Sequence, residues 1–334
     1  MKFASANFYL NILPKAKYIT RAAREYHFAT AKYHISPRAK YITAMLSTQR
    51  LAALPFARWN MYKKILIALD LEGVNNVKGV PYEALSKETD EWKIARRQGV
   101  LEVNAAADAL FLAGAEKIAL WDNHGGGHNI DPADLDERIT LLETDFSKPR
   151  MYFADDYDCV CYFGYHAMEG TLGGVLAHTM SSKTVQFYKL NGKYIGEIDM
   201  DAYIAASHSK PSVFFCAGDI ACAQAKRAVP GIVTVNTKHE RSRNEADFRD
   251  NAELFSEIGE KIVEAVSSDQ GYETLDFPAS FEKSFKRVED AEKFLARLKN
   301  RGIDADYLSD DVIGKDAHTV VSTVHNIGEF IACI

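Results

Sequence analysis

The stretch Lys63–Gly73, KKILIALDLEG, decides how the rest of the chain is read. Two lysines precede the apolar run Ile65–Leu69, which breaks into Asp70, Leu71, Glu72 and Gly73. Short, β-branched at two positions and closed by glycine, the run predicts a buried strand rather than a helix. On a strand, side chains two apart share a face, so Asp70 and Glu72 are expected to point the same way. Two carboxylates side by side at a buried strand end repel each other and are costly to desolvate. A metal ion would resolve both problems; a solvated strand end followed by a turn is the plain alternative.

Outward from this strand the pattern alternates. A helical periodicity runs over Thr89–Ala113, with Val100, Val103, Ala107, Leu110 and Phe111 on its inner face and Gly114 as its stop. KIALWD (117–122) is a second short apolar strand, ending in Asn123, His124 and the loop Gly125–Gly127. Strand, helix and strand at this spacing make a right-handed βαβ unit with parallel strands. After Ile139–Leu142, CVCYFGYH (159–166) predicts another buried strand, ending at Gly164, Tyr165 and His166. Asn191–Gly192 is the strongest hairpin signal; it joins 184–190 to 193–198 and puts Glu197 on the second strand. A helix over Asp201–Ser207, strands at 212–216 and 233–237, and a long amphipathic helix over 244–266 follow. The tail reads as a strand near 281–287, a helix at 289–300 and a β segment near 318–324. The fold class is therefore α/β, a mostly parallel central sheet flanked by helices, with a second, smaller α+β domain bearing an antiparallel hairpin. Residues 61–334 form the folded region. Its α/β part spans about 61–180, the α+β part about 181–270, and 271–334 returns to the first.

Residues 1–60 differ from the rest. They hold ten Lys/Arg against one acid, Glu25, and an imperfect repeat, PKAKYIT (14–20) and PRAKYIT (37–43). The segment reads as a basic N-terminal extension outside the fold. Of the 334 residues, 47% are hydrophobic and 26% charged, which is ordinary for a soluble globular protein. The acidic balance of 61–334 argues against nucleic acid as a partner, and no apolar run is long enough for a membrane helix. Five cysteines in apolar surroundings, 159, 161, 216, 222 and 333, read as reduced packing residues of a cytoplasmic protein.

Three strand ends supply possible ligands: Asp70 and Glu72, then His124, then His166. In open parallel sheets, sites form at the carboxyl ends of strands, and Glu197 from the hairpin would close such a set. A mixed His/carboxylate group without thiolate suits catalytic zinc and leaves manganese or another divalent ion open. Five ligands exceed what one open zinc site uses. A carboxylate shared between two ions would leave two incomplete shells and room for a bridging water. His178, beyond the glycine-rich loop 170–174, would suit acid/base or oxyanion-stabilising work at the rim. His128 sits in a Gly loop rather than four residues on along a helix, so it is not expected to be a ligand. No phosphate-cradling glycine motif is present.

Together ALDLEG, WDNHGG, GYHAMEGTLGGVLAHTM and NGKYIGEIDMDAY resemble the zinc-dependent D-aminopeptidases, the DppA-like metallopeptidases. The resemblance covers most of 62–334, is strongest over 65–206 and is absent from 1–60. It implies two zinc ions bridged by Asp70, with Glu72 and His124 completing one shell and His166 and Glu197 the other. It further implies His178 as the catalytic histidine, short peptides with an N-terminal D-residue as substrates, and a ring-like homo-oligomer. The chain departs from the family by its basic front and by Gly125–Gly127 after the histidine. Two alternatives stay open: another binuclear metal amidohydrolase or esterase, and a non-catalytic metal-containing component of peptide uptake.

Overall fold

A computed structural model describes residues 62–80 and 85–334; the basic extension at 1–60 lies outside the described residues. From β1 (Lys64–Leu69) the chain passes through helix α1 (Asp90–Ala113) to β2 (Lys117–Asp122) and β3 (Ile139–Leu142). It then returns to the other side of β1 as β4 (Cys159–Phe163). The hairpin β5 (Val185–Leu190) and β6 (Lys193–Ile195) leads into α2 (Glu197–Ser207). Next, β7 (Ser212–Ala217), α3 (Asp219–Ala228) and β8 (Val233–Asn236) complete a six-stranded sheet. Its order is β3-β2-β1-β4-β7-β8, parallel throughout. A ribbon, β9 (Lys238–Ser242) and β10 (Glu245–Phe248), precedes α4 (Asn251–Ser267). There follow β11 (Ala279–Phe285), α5 (Val288–Asn300), β12 (Asp304–Asp310), β13 (Gly314–Val324) and α6 (Ile327–Cys333).

Local chemistry fixes the elements. The Thr89 side chain caps α1 by accepting from the Trp92 N–H, and Gly114 ends it in the left-handed region at φ 103°. β1 is central, so Ile65 to Leu69 are fully buried, and alternate residues serve two layers. Leu66 and Ala68 join Trp121, Tyr162, Phe215 and the inner faces of α2 and α3 in one continuous core. On the opposite face, Leu69 lies so near α1 that a Cβ on Gly99 would come within 3.2 Å of it.

The antiparallel sheet, order β12-β13-β11-β5-β6, carries the hairpin predicted at Asn191–Gly192. Four expectations are corrected. β1 stops at Leu69, so Asp70 and Glu72 lie in the turn beyond it rather than on one pleat. Glu197 is the first residue of α2, not part of a strand, because Gly196 caps the helix and Asp199 reaches back to the Gly196 N–H at 2.8 Å. The stretch 244–266 is not one helix: β10 occupies its start, and Asp250 caps α4 by accepting from Ala252 and Glu253. The inner division does not follow the sheets. β7 and β8 belong to the parallel sheet, whereas β11–β13 pair with the hairpin instead of returning to the first part.

Candidate metal centre

β2, β1 and β4 are neighbours running the same way, so the residues just past their ends gather on one edge. The winding reverses between β1 and β4, which opens a crevice at the strand ends there. Asp70, Glu72, His124, His166 and Glu197 are all buried at this edge, and His178 is half-buried. Two trios with mutually close ligand atoms form: Asp70, Glu72 and His124, and His166, His178 and Glu197. His128 is exposed and belongs to neither.

Hydrogen bonding orients each imidazole. The His124 Nε2–H donates to the Leu85 carbonyl at 2.9 Å, which leaves Nδ1 facing Asp70 Oδ1 and Glu72 Oε2, each at 3.0 Å. The His166 Nδ1–H donates to the Ala167 carbonyl at 3.0 Å. Its Nε2, buried and without a hydrogen-bond partner, faces Asp70 Oδ2 at 3.5 Å and Glu197 Oε1 at 3.3 Å. Asp70 thus turns one oxygen to each trio. The His178 Nδ1–H donates to the Leu176 carbonyl at 2.8 Å. Histidines held through one nitrogen by backbone carbonyls, with the other turned to the ion, are the usual arrangement around metals.

A lone pair aimed at carboxylate oxygens is repulsive until a cation lies between them. Without a metal, a proton fills that role. Burial acts to lower the His124 pKa, but the charge of Glu72 and the bonds to Asp70 and Glu72 raise it to about 11. For His166 burial is likewise outweighed, by Glu197 and Asp70, and its pKa rises well above the ordinary value. Burial would raise Asp70, yet the bonds to His124 and His166 hold it well below the usual carboxylate range. Glu197 is lowered in the same way, burial being overcome by the charge of His166. Each trio gathers donor types that could hold a metal ion.

The floor of the site is clamped. The Gly73 N–H donates to the Gly164 carbonyl at 2.6 Å, and a Cβ on Gly73 would lie 1.8 Å from the Tyr165 carbonyl oxygen. Gly164, at φ +68°, passes so near the Asp70 carbonyl that a Cβ there would lie 1.9 Å from its oxygen. The buried Lys238 donates to the carbonyls of Glu72 (2.6 Å), Val74 (3.1 Å) and Val77 (2.6 Å), while Thr237 Oγ1 donates to that of Gly73 at 2.6 Å. A second network braces the strand ends. Asp201 receives the Arg150 guanidinium at 2.5 and 2.8 Å and the Tyr165 hydroxyl at 2.7 Å, and Asn123 donates to that hydroxyl at 2.9 Å. Sequence reasoning missed Lys238, Thr237, Arg150 and Asp201. For Lys238 the only signal was a lysine directly after an apolar strand, which reads as solvated. The clamp's partners lie some 160 residues away.

A family model described as D-aminopeptidase, peptidase family M55, matches residues 63–308. The chain belongs to the M55 D-aminopeptidase family. The resemblance carried by ALDLEG, WDNHGG and GYHAM is thus a family relation. A D-aminopeptidase of Bacillus subtilis (strain 168) is 26% identical over 187 residues, spanning 54% of this chain and 65% of that relative. The match thus spans just under two thirds of that relative's length. A solved structure, described as the Zn-dependent D-aminopeptidase DppA from Bacillus subtilis, a self-compartmentalizing protease, aligns with a TM-score of 0.69 at 20% identity. The alignment covers 80% of this chain and 94% of the other, and it shows that this M55 chain shares the fold.

Proposed function

We propose that this chain is a metal-dependent aminopeptidase that removes the N-terminal residue, a D-residue, from short peptides. One observation carries the reading: two buried imidazoles, each locked by a backbone carbonyl, turn their free nitrogens to opposite oxygens of Asp70. In this reading Asp70 would be shared by two zinc ions, Glu72 and His124 would help hold one, and His166 and Glu197 the other. Bound there, the pair would supply Lewis acidity and lower the pKa of a water between them. The rest is the chain's own work.

His178 takes the proton-carrying role. Its ring stacks on that of His166 with centroids 3.9 Å apart and planes 11° apart. An imidazole binds zinc in its own plane at about 2.0–2.1 Å, so two stacked rings do not direct lone pairs at one ion. That supports His166 as ligand and His178 as the group that passes a proton to the leaving amine. Arg150, Asp201 and Tyr165 keep the ends of β2, β4 and α2 in register. The cleft over the two trios, about 360 Å³, suits a short peptide rather than a folded chain.

Membership of the family and the fold shared with a self-compartmentalizing protease support a homo-oligomer. The five buried free cysteines suit a reducing compartment such as the cytoplasm. Among the described residues no helix is long and apolar enough to cross a membrane. The test is to strip the protein of metal, reload it with zinc or manganese, and assay D-alanyl and L-alanyl amides. Zinc-dependent release of D-alanine is expected. A reloaded protein inert on the amides but active on esters or phosphates would contradict the proposal in favour of another metal hydrolase.

A further inference from the structure

The cleft is also lined by cations that the two trios do not use: Arg150, Lys183 and Arg243. Arg150 is already neutralised by its paired bonds to Asp201, and its guanidinium lies over Trp121, 4.7 Å from the ring centre. Arg243 is different. It sits at the turn between β9 and β10, whose other arginine, Arg241, pairs with Asp247. No carboxylate among the described residues pairs with Arg243. It is nevertheless held in place: its carbonyl accepts from the Leu176 N–H at 2.8 Å, and its Nη1 donates to the Ala177 carbonyl. The guanidinium is therefore pinned at the residue before His178, and among the described residues its other N–H groups have no hydrogen-bond partner.

We propose that Arg243, with Lys183 adding positive charge, forms a carboxylate subsite that selects dipeptides with a free C-terminus. The inference rests on the aminopeptidase reading above and on chain geometry. In a dipeptide, the leaving nitrogen and the terminal carboxylate hang on the same Cα, so they lie within about one 3.8 Å Cα–Cα step of each other. A group serving the leaving nitrogen and a group holding the carboxylate must then be neighbours, as His178 and Arg243 are through Ala177. The planar guanidinium fork matches a carboxylate, and a fixed one loses little freedom on binding it. In a longer peptide the carboxylate would be carried past Arg243, leaving an uncharged peptide group in its place.

The test compares D-alanylglycine with its C-terminal amide on the zinc-loaded protein, wild type and Arg243→Gln. The wild type is expected to prefer the acid, and Arg243→Gln to raise KM for the acid by about 10- to 100-fold. The acid-to-amide ratio of kcat/KM should then fall toward one, with Arg243→Lys recovering part of it. Equal use of acid and amide by the wild type, or an equal loss on both in Arg243→Gln, would overturn the subsite. A wild type that hydrolyses neither contradicts the aminopeptidase reading instead. Calorimetric binding of D-alanylglycine to both proteins then still decides the subsite, and equal affinities would overturn it.

Discussion

On the side of Glu72 and His124, every candidate ligand lies within three residues of the end of a central parallel strand and is buried. On the side of His166, Glu197 and His178, the groups come from one strand end, one helix N-terminus and one loop, and His178 is half-exposed. The first side is clamped from below by Lys238 and Thr237 and by the glycine contact between the turn after β1 and Gly164. The second is held by longer connections: the Glu197 carboxylate accepts from the Met180 N–H at 2.7 Å, and the His178 loop is tied to Arg243. In the proposed reading one side is a metal seat, the other a seat with a working rim, and Asp70 belongs to both.

The sharpest way to break this comparison is to remove the shared group. Asp70→Asn should lose both metals and all measurable turnover, by metal analysis and amide assay. Retention of one ion at full occupancy would separate the halves. Next in size, His178→Ala should cut turnover by about 10²–10⁴-fold, the range for a general acid or base, with metal content intact. Metal loss there would make the rim part of the seat. On the clamped side, Glu72→Gln should release mainly one ion. Lys238→Met should weaken the same ion by about 10–100-fold, as loss of a supporting group typically does, read by chelator competition with folding checked by circular dichroism.

The smallest effect is on the pH dependence of the metal-free chain. The His124 pKa is raised from 6.5 to about 11, burial being outweighed by Glu72 and Asp70. The stabilisation from its proton is therefore complete below about pH 6.5 and is lost as pH rises toward about 11. The metal-free protein should lose Tm between pH 7 and pH 10, and the zinc-loaded protein should lose less. Equal slopes would mean that proton and metal do not share the seat.

Much of this was legible in the sequence because it depends on short-range pattern. Ile65–Leu69, KIALWD and CVCYF are apolar runs too short for helices, and each is followed directly by residues that reach the site. The α1 boundaries were readable from Thr89 and Gly114, whose capping roles are local. The Asn191–Gly192 turn was readable for the same reason, its φ values of 49° and 75° favouring those residue types. What failed either carried an ambiguous local signal or depended on distance. Glu197 looked like a strand residue because the cap that starts α2 is a glycine, which also fits a turn. The four residues of β10 carry too little periodicity to separate them from the following helix. The pairing of β11 with β5 joins segments some 90 residues apart, so the inner boundaries could not be placed. Lys238 and Arg243 acquire meaning only from partners brought to them by the fold.

The central claim is that five side chains hold two ions with Asp70 between them. Crystals of the zinc-loaded protein, measured at the zinc absorption edge, test it most directly. Two anomalous peaks are predicted, about 3.5–4 Å apart as in other two-metal sites, one beside Glu72 and His124 and one beside His166 and Glu197, with Asp70 touching both. A single peak, or two that Asp70 does not join, would contradict the account.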